Sequence, residues 1–132
     1  MTGHAQGSFE VKLAPQPPGA GEEPSIGRMV IDKRYHGGLE ATGSGQMLGI
    51  RPDANGSGVY VAIERVTGAL DGRSGSFVLH HRGVMTRGAP ELEVVVAPDS
   101  GTGDLSGLTG RMKIDITGGQ HRYEFEYSLP AR

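Results

Sequence analysis

The chain has no cysteine and no tryptophan. Without thiols there is no disulfide framework, no thiolate zinc site and no thiol nucleophile, and a reducing, cytosolic setting is expected. Aromatic residues make up only 5% of the sequence, so Val, Ile, Leu, Met and a few Tyr and Phe must fill the interior. Apolar runs are only a few residues long, and the first eight residues lack a basic stretch followed by an apolar one, so neither a membrane span nor a signal peptide is expected. Nor does one charge dominate: 13 Lys and Arg are scattered among 15 Asp and Glu, for a net charge of -2. Nucleic acid, which selects basic faces, is not an expected partner, and neither is a membrane.

What the chain does have is glycine, 23 in 132 residues, well above the roughly 7% average. The glycines follow no fixed period and lie between alternating segments, which excludes collagen-like and disordered readings. Period-two alternation of apolar and polar residues recurs almost everywhere, and no window of helical length carries a 3.6-residue stripe free of glycine. The expected fold is therefore all-β.

Phe9, Val11 and Leu13 alternate with polar neighbours in a first strand, closed by a Pro/Gly-rich loop over residues 14–24. A second strand carries Met29, Ile31 and Tyr35 on one face with Asp32 and Arg34 on the other. A third runs over residues 39–50, with Gly43 and Gly45 on the side of Leu39, Ala41 and Met47, where a barrel needs small residues. Residues 51–56 form a turn. Strands at 59–70 and 76–85, joined through residues 71–75, form a hairpin. Further strands follow at 91–97 and 111–117, and the last alternates Tyr123, Phe125, Tyr127 and Leu129 with Arg122, Glu124 and Glu126. Short strands at this spacing fit a sandwich or a barrel, and closure removes exposed edges. A single domain over residues 1–132, an antiparallel eight-stranded β-barrel, is the expected architecture.

Two blocks carry a family resemblance. The run Ile63-Glu64-Arg65-Val66-Thr67-Gly68-Ala69-Leu70-Asp71-Gly72-Arg73-Ser74-Gly75-Ser76-Phe77-Val78-Leu79-His80-His81 resembles the central signature of a bacterial family known as domain of unknown function 3224. Residues 98–110, Pro-Asp-Ser-Gly-Thr-Gly-Asp-Leu-Ser-Gly-Leu-Thr-Gly, resemble its second signature and, more loosely, a glycine-rich segment of allene oxide cyclases and related barrels. The wider resemblance implies an eight-stranded barrel with a lumen open at one end, in a group that closes rings without metal or organic cofactor. Fold kinship alone does not transfer a reaction.

Glu64 lies on an apolar strand, on the side of Tyr60, Ala62 and Val66. In a lumen, desolvation would raise its pKa and make it a candidate acid or base; alternatively it pairs with Arg65, Arg82 or another cross-strand cation. His80 and His81 are adjacent and point to opposite faces, so they cannot chelate one ion together. His81 shares its face with Phe77 and Leu79 and is the lumen candidate, as proton shuttle or ligand donor; alternatively its ring is satisfied by a neighbouring strand or carboxylate. Tyr60, Phe77, Leu79, Tyr123, Phe125 and Tyr127 are the candidate ligand-binding residues, each equally at home in a core. No metal-ligand spacing, dinucleotide fingerprint, phosphate loop or nucleophile elbow is present, so no metal or cofactor is expected.

The sequence therefore points to a cofactor-free barrel whose lumen binds a small hydrophobic or weakly polar molecule. A cyclase or isomerase with Glu64 and His81 as catalytic residues is one reading. A carrier or sensor, or a packed barrel serving as an interaction module, is the other, and self-association is open. Whether Glu64 and His81 share a face depends on the register of the hairpin between them.

Overall fold

Alternation this regular folds as strands, because each strand then buries one face and wets the other. The computed structural model describes residues 1–52 and 55–130. Its strands are β1 (Thr2–Gln16), β2 (Gly27–Gly37), β3 (Leu39–Ile50), β4 (Gly58–Leu70), β5 (Arg73–Thr86), β6 (Ala89–Val96), β7 (Thr109–Thr117) and β8 (Gln120–Ser128). They form a closed antiparallel barrel in sequence order, with β1 pairing β8. The one helical element among the described residues is a 3₁₀ turn at Gly103–Leu105.

Because strands alternate in direction, the connections divide between two ends. At the lower end lie the β2–β3 and β4–β5 turns and the long β6–β7 connection, residues 97–108. At the upper end lie the proline-rich loop and the β3–β4, β5–β6 and β7–β8 connections. The lower end is sealed. The long connection hydrogen-bonds along β5, with Ala97 N donating to Val78 O at 2.8 Å and Thr102 N to Ser76 O at 2.8 Å. Its Leu105 and Leu108 then plug the lumen beneath Leu39, Leu70, Phe77, Phe125 and Leu129, all buried in one cluster. The second signature block is thus a stopper, which accounts for its spacing matching no phosphate loop.

The upper end is different. Leu13, Met85, Leu92 and Ile116 sit at inward-alternating positions yet are 47, 41, 43 and 63% exposed. Met29, Met47 and Tyr60, on neighbouring strands of the same rim, are half-buried. The upper rim is therefore open to solvent and apolar, a shallow funnel over the buried Ala62, His81 and Gly83. Its wall is weakest between β6 and β7, which meet through one paired position, Val95 with Arg111, braced outside by Arg111 Nη1 at 3.1 Å from Glu93 Oε1.

The structure corrects several boundaries. The first strand does not stop before residue 14. It runs to Gln16 with Pro15 opposite Met29, and Pro15 is tolerated because β1 pairs with β8 only as far as Phe9, leaving that edge free of ladder bonds. The hairpin turn is not residues 71–75 but Asp71 and Gly72 alone, at φ 48° and 85°, with Leu70 directly opposite Arg73. Two left-handed residues make the turn that suits strand twist. The turn expected over residues 51–56 includes Asp53 and Ala54, which lie outside the described residues.

Candidate functional site

The two-residue turn fixes the register on which the site depends. Glu64 faces Leu79 and Ala62 faces His81, so Glu64 and His81 lie on the same inward face, diagonally across the hairpin. Their side chains meet: His81 Nε2 is 2.9 Å from Glu64 Oε1. Two residues from β2 complete the cluster. Lys33 Nζ donates to Glu64 Oε1 at 3.1 Å, and the Tyr35 hydroxyl donates to Oε2 at 2.6 Å. Lys33 also lies 4.8 Å from the centre of the Phe9 ring, a cation–π contact favoured where water is scarce.

For a β4 residue to touch β2 it must cross β3. Gly43 makes that possible: a Cβ there would come within 2.1 Å of Glu64 Oε2. The glycine leaves a trough across the inner wall, and the carboxylate lies in it.

Glu64 has no solvent exposure. Desolvation is the largest influence on its carboxyl and raises the pKa, but the His81 bond, the Lys33 charge and the Tyr35 bond together outweigh it, so the group is held below its ordinary value. The expectation of a raised pKa is thereby overturned, because three donors converge on the anion. Glu64 is a carboxylate at neutral pH, and an acceptor only. The hydrogen on its bond to His81 therefore belongs to Nε2, and in the neutral ring Nδ1 is the bare acceptor. Nδ1 makes no hydrogen bond among the described residues, and the His81 side chain is itself buried, 5% exposed. An imidazole steered by a buried carboxylate, with its other nitrogen free, is the arrangement by which a general base is oriented.

The other expected residues divide by height. Phe77, Leu79, Phe125 and Tyr127 are buried in the sealed half, where the Phe77 and Phe125 rings stack at 5.7 Å. Tyr123 accepts from Leu39 N at 2.9 Å and donates to His36 O at 2.8 Å, tying the β2–β3 turn to β8. Tyr127 donates to Asp71 at 2.5 Å; burial and that carboxylate push its hydroxyl up to about 12. Both hydroxyls are committed to holding turns. Tyr60 alone of this set stands in the funnel. Its ring lies flat over Gly83, where a Cβ would be 2.1 Å from Tyr60 Cε1, and its hydroxyl, pushed up by burial, has no hydrogen-bond partner among the described residues.

Lys33 is the residue that sequence reasoning misses. A signal for it exists, because Lys33 stands between Ile31 and Tyr35 at period two, on the apolar face. The methionine rim is equally legible from alternation.

Comparison with known proteins fixes the family. The sequence profile of DUF3224, a protein family of unknown function, matches residues 5–127. The chain belongs to the DUF3224 family. It is also 45% identical to a DUF3224 protein of unknown function from Shewanella oneidensis MR-1, whose crystal structure at 1.84 Å resolution matches with a TM-score of 0.91 over 100% of both chains. No curated protein matches. The two blocks that carry the resemblance have structural roles here: residues 63–81 build the hairpin that joins Glu64 to His81, and residues 98–110 plug the barrel.

Proposed function

We propose that this DUF3224 barrel binds a small, largely apolar, uncharged organic molecule in the upper lumen and moves a proton on it, as a cofactor-independent isomerase or cyclase. The observation that carries the reading is His81, pinned through Nε2 to a buried carboxylate, with Nδ1 left without a hydrogen bond among the described residues, below an apolar funnel. Glu64 orients the ring and offsets its charge when a proton is taken up. Lys33 and Tyr35 hold Glu64 in its ionised form. The one anion and one cation of this cluster cancel, so the floor offers no unpaired charge to an ionic ligand, and an ion brought into apolar surroundings without a partner is strongly disfavoured. Kinship with allene oxide cyclase-like barrels is part of this proposal and agrees with chemistry done without a cofactor.

A second reading, a carrier without chemistry, is favoured by the rim. Met29, Met47 and Met85 are unbranched and adaptable, the side chains used where several ligands must be accommodated. Both readings require the funnel to bind. A neutral apolar fluorophore, 1-aminoanthracene, should bind saturably at one site per chain, and Met47→Glu should weaken that binding at least tenfold with the melting temperature little changed. Binding that is absent, or indifferent to Met47→Glu, overturns both.

A further inference from the structure

Tyr60 and His81 stand on adjacent strands of the same inner wall, and the residues between them are small. Ala62 faces His81, Gly83 faces Tyr60, and neither fills the space. The Tyr60 ring is laid against Gly83, one same-face step from His81, a rise of about 7 Å along the strand. Two side chains rooted one such step apart on one wall can both reach a small group lying between them, such as a carbonyl and its neighbouring carbon. One end offers a bare acceptor, His81 Nδ1; the other offers a hydroxyl with no partner among the described residues. A base beside a hydroxyl donor suits a group that loses a proton at one point and gains negative charge at a neighbouring oxygen.

We infer that the substrate class is a neutral, hydrophobic ketone or aldehyde bearing a hydrogen on the carbon next to its carbonyl, with His81 as the base and Tyr60 as the donor to the carbonyl oxygen. This rests on the funnel reading above and gives it a substrate. In the step, the C–H bond breaks and its proton goes to His81 Nδ1. The electron pair of that bond becomes the carbon–carbon double bond of an enolate, whose oxygen is held by the Tyr60 hydroxyl. Return of the proton from Nδ1 to the same carbon completes an exchange, and return to a conjugated carbon completes a double-bond shift. No atom or electron is gained or lost overall. The imidazolium formed in between keeps its Nε2–H on the Glu64 carboxylate, whose negative charge compensates it. Donors aimed at an oxygen that acquires charge only during reaction act on the barrier rather than on ground-state binding.

The test uses 2-tetralone in deuterated water with the full chain. Binding is read from the methyl signals of Met29, Met47 and Met85, and chemistry from deuterium uptake at the carbon beside the carbonyl. Saturable methyl shifts with protein-accelerated exchange are expected. His81→Asn should lower the exchange rate constant by about a hundredfold or more. Tyr60→Phe should lower it by about a hundredfold while leaving the half-saturation concentration within about twofold, a split that a merely structural tyrosine would not produce. Methyl shifts without exchange faster than that of His81→Asn overturn this inference and leave the funnel reading standing. Absence of methyl shifts up to the solubility limit overturns both.

Discussion

The two halves of the lumen are built from the same eight strands with the same alternation, yet one is a core and the other a mouth. Below Glu64, inward positions carry Phe77, Phe125, Tyr123, Leu39 and Leu70, each at most 1% exposed, and the β6–β7 connection adds Leu105 and Leu108 from beneath. Above it, inward positions carry the small, buried Gly83 and Ala62, and beyond them Leu13, Met85, Leu92 and Ile116 are 47, 41, 43 and 63% exposed. The boundary is the polar cluster itself. Alternation decides which residues point inward, but their volume and the presence of a plug decide whether the interior is filled. A barrel can thus hold its stability in one half and leave the other free for chemistry.

That division is open to attack. Phe125→Ala, in the sealed half, should cost about 3–5 kcal/mol because the cavity cannot collapse around neighbouring aromatics. Leu92→Ala, at the rim and 43% exposed, should cost less than about 1 kcal/mol. Denaturant unfolding of both variants measures the contrast, and equal losses would mean that the upper half is packed too.

At the boundary, Lys33→Met should cost about 3–5 kcal/mol, since it leaves Glu64 as a buried anion without its cation. The double variant Lys33→Met with Glu64→Leu should recover a good part of that loss while abolishing the proton chemistry. If it recovers nothing, packing rather than charge sets the cost.

Acid should act on the same boundary. The Glu64 carboxyl is held below its ordinary value of 4.5, so its contribution is fully present above that pH and is lost as pH falls from about 4.5 through the lowered folded value. The wild-type chain should lose stability over that window more steeply than Glu64→Gln, as measured by urea midpoints at stepped pH. Parallel curves would show that Glu64 titrates alike in folded and unfolded chains.

A smaller effect than that of Lys33→Met is expected at the trough. Gly43→Ala should cost about 1–3 kcal/mol as the new methyl displaces the carboxylate from Tyr35, and Gly45→Ala serves as a less informative control because it meets backbone at Ile63 O. A Gly43→Ala protein with unchanged stability and an unchanged acid profile would show that Glu64 reaches Lys33 without needing the gap.

Much of this is legible in the sequence because period two is a local property. The strands, the residues that share a face on each, and the pairing of residues 59–70 with residues 76–85 derive from it, whereas which face lines the lumen, and whether Glu64 and His81 share it, is decided by register and closure. The family blocks add closure. What alternation cannot supply is contact across the lumen. That Lys33, 31 positions away, reaches Glu64 depends on the absent side chain of Gly43 on the strand between. The direction of the Glu64 shift escapes the sequence for the same reason, since burial is readable from neighbours along the chain and convergent donors are not. The turn is misplaced from sequence because Asp71-Gly72 and the next three residues, Arg-Ser-Gly, are all acceptable turn residues, and only the ladder distinguishes them.

The pairing of β1 with β8 also bears on how the chain reaches this state. Every other strand pair joins neighbours along the sequence, whereas the bond from Ser128 Oγ to Met1 O spans 127 positions. Bringing such distant segments together costs about 2 kcal/mol more loop entropy than closing a ten-residue hairpin, so the ring should join late, after the hairpins have formed. Until it does, the chain is an open curved sheet with both end strands unpaired, and during that interval it is most exposed to pairing with another copy of itself. A short covalent link between the two ends would make the last contact a local one, shortening that interval and raising the folding rate more than it lowers the rate of unfolding.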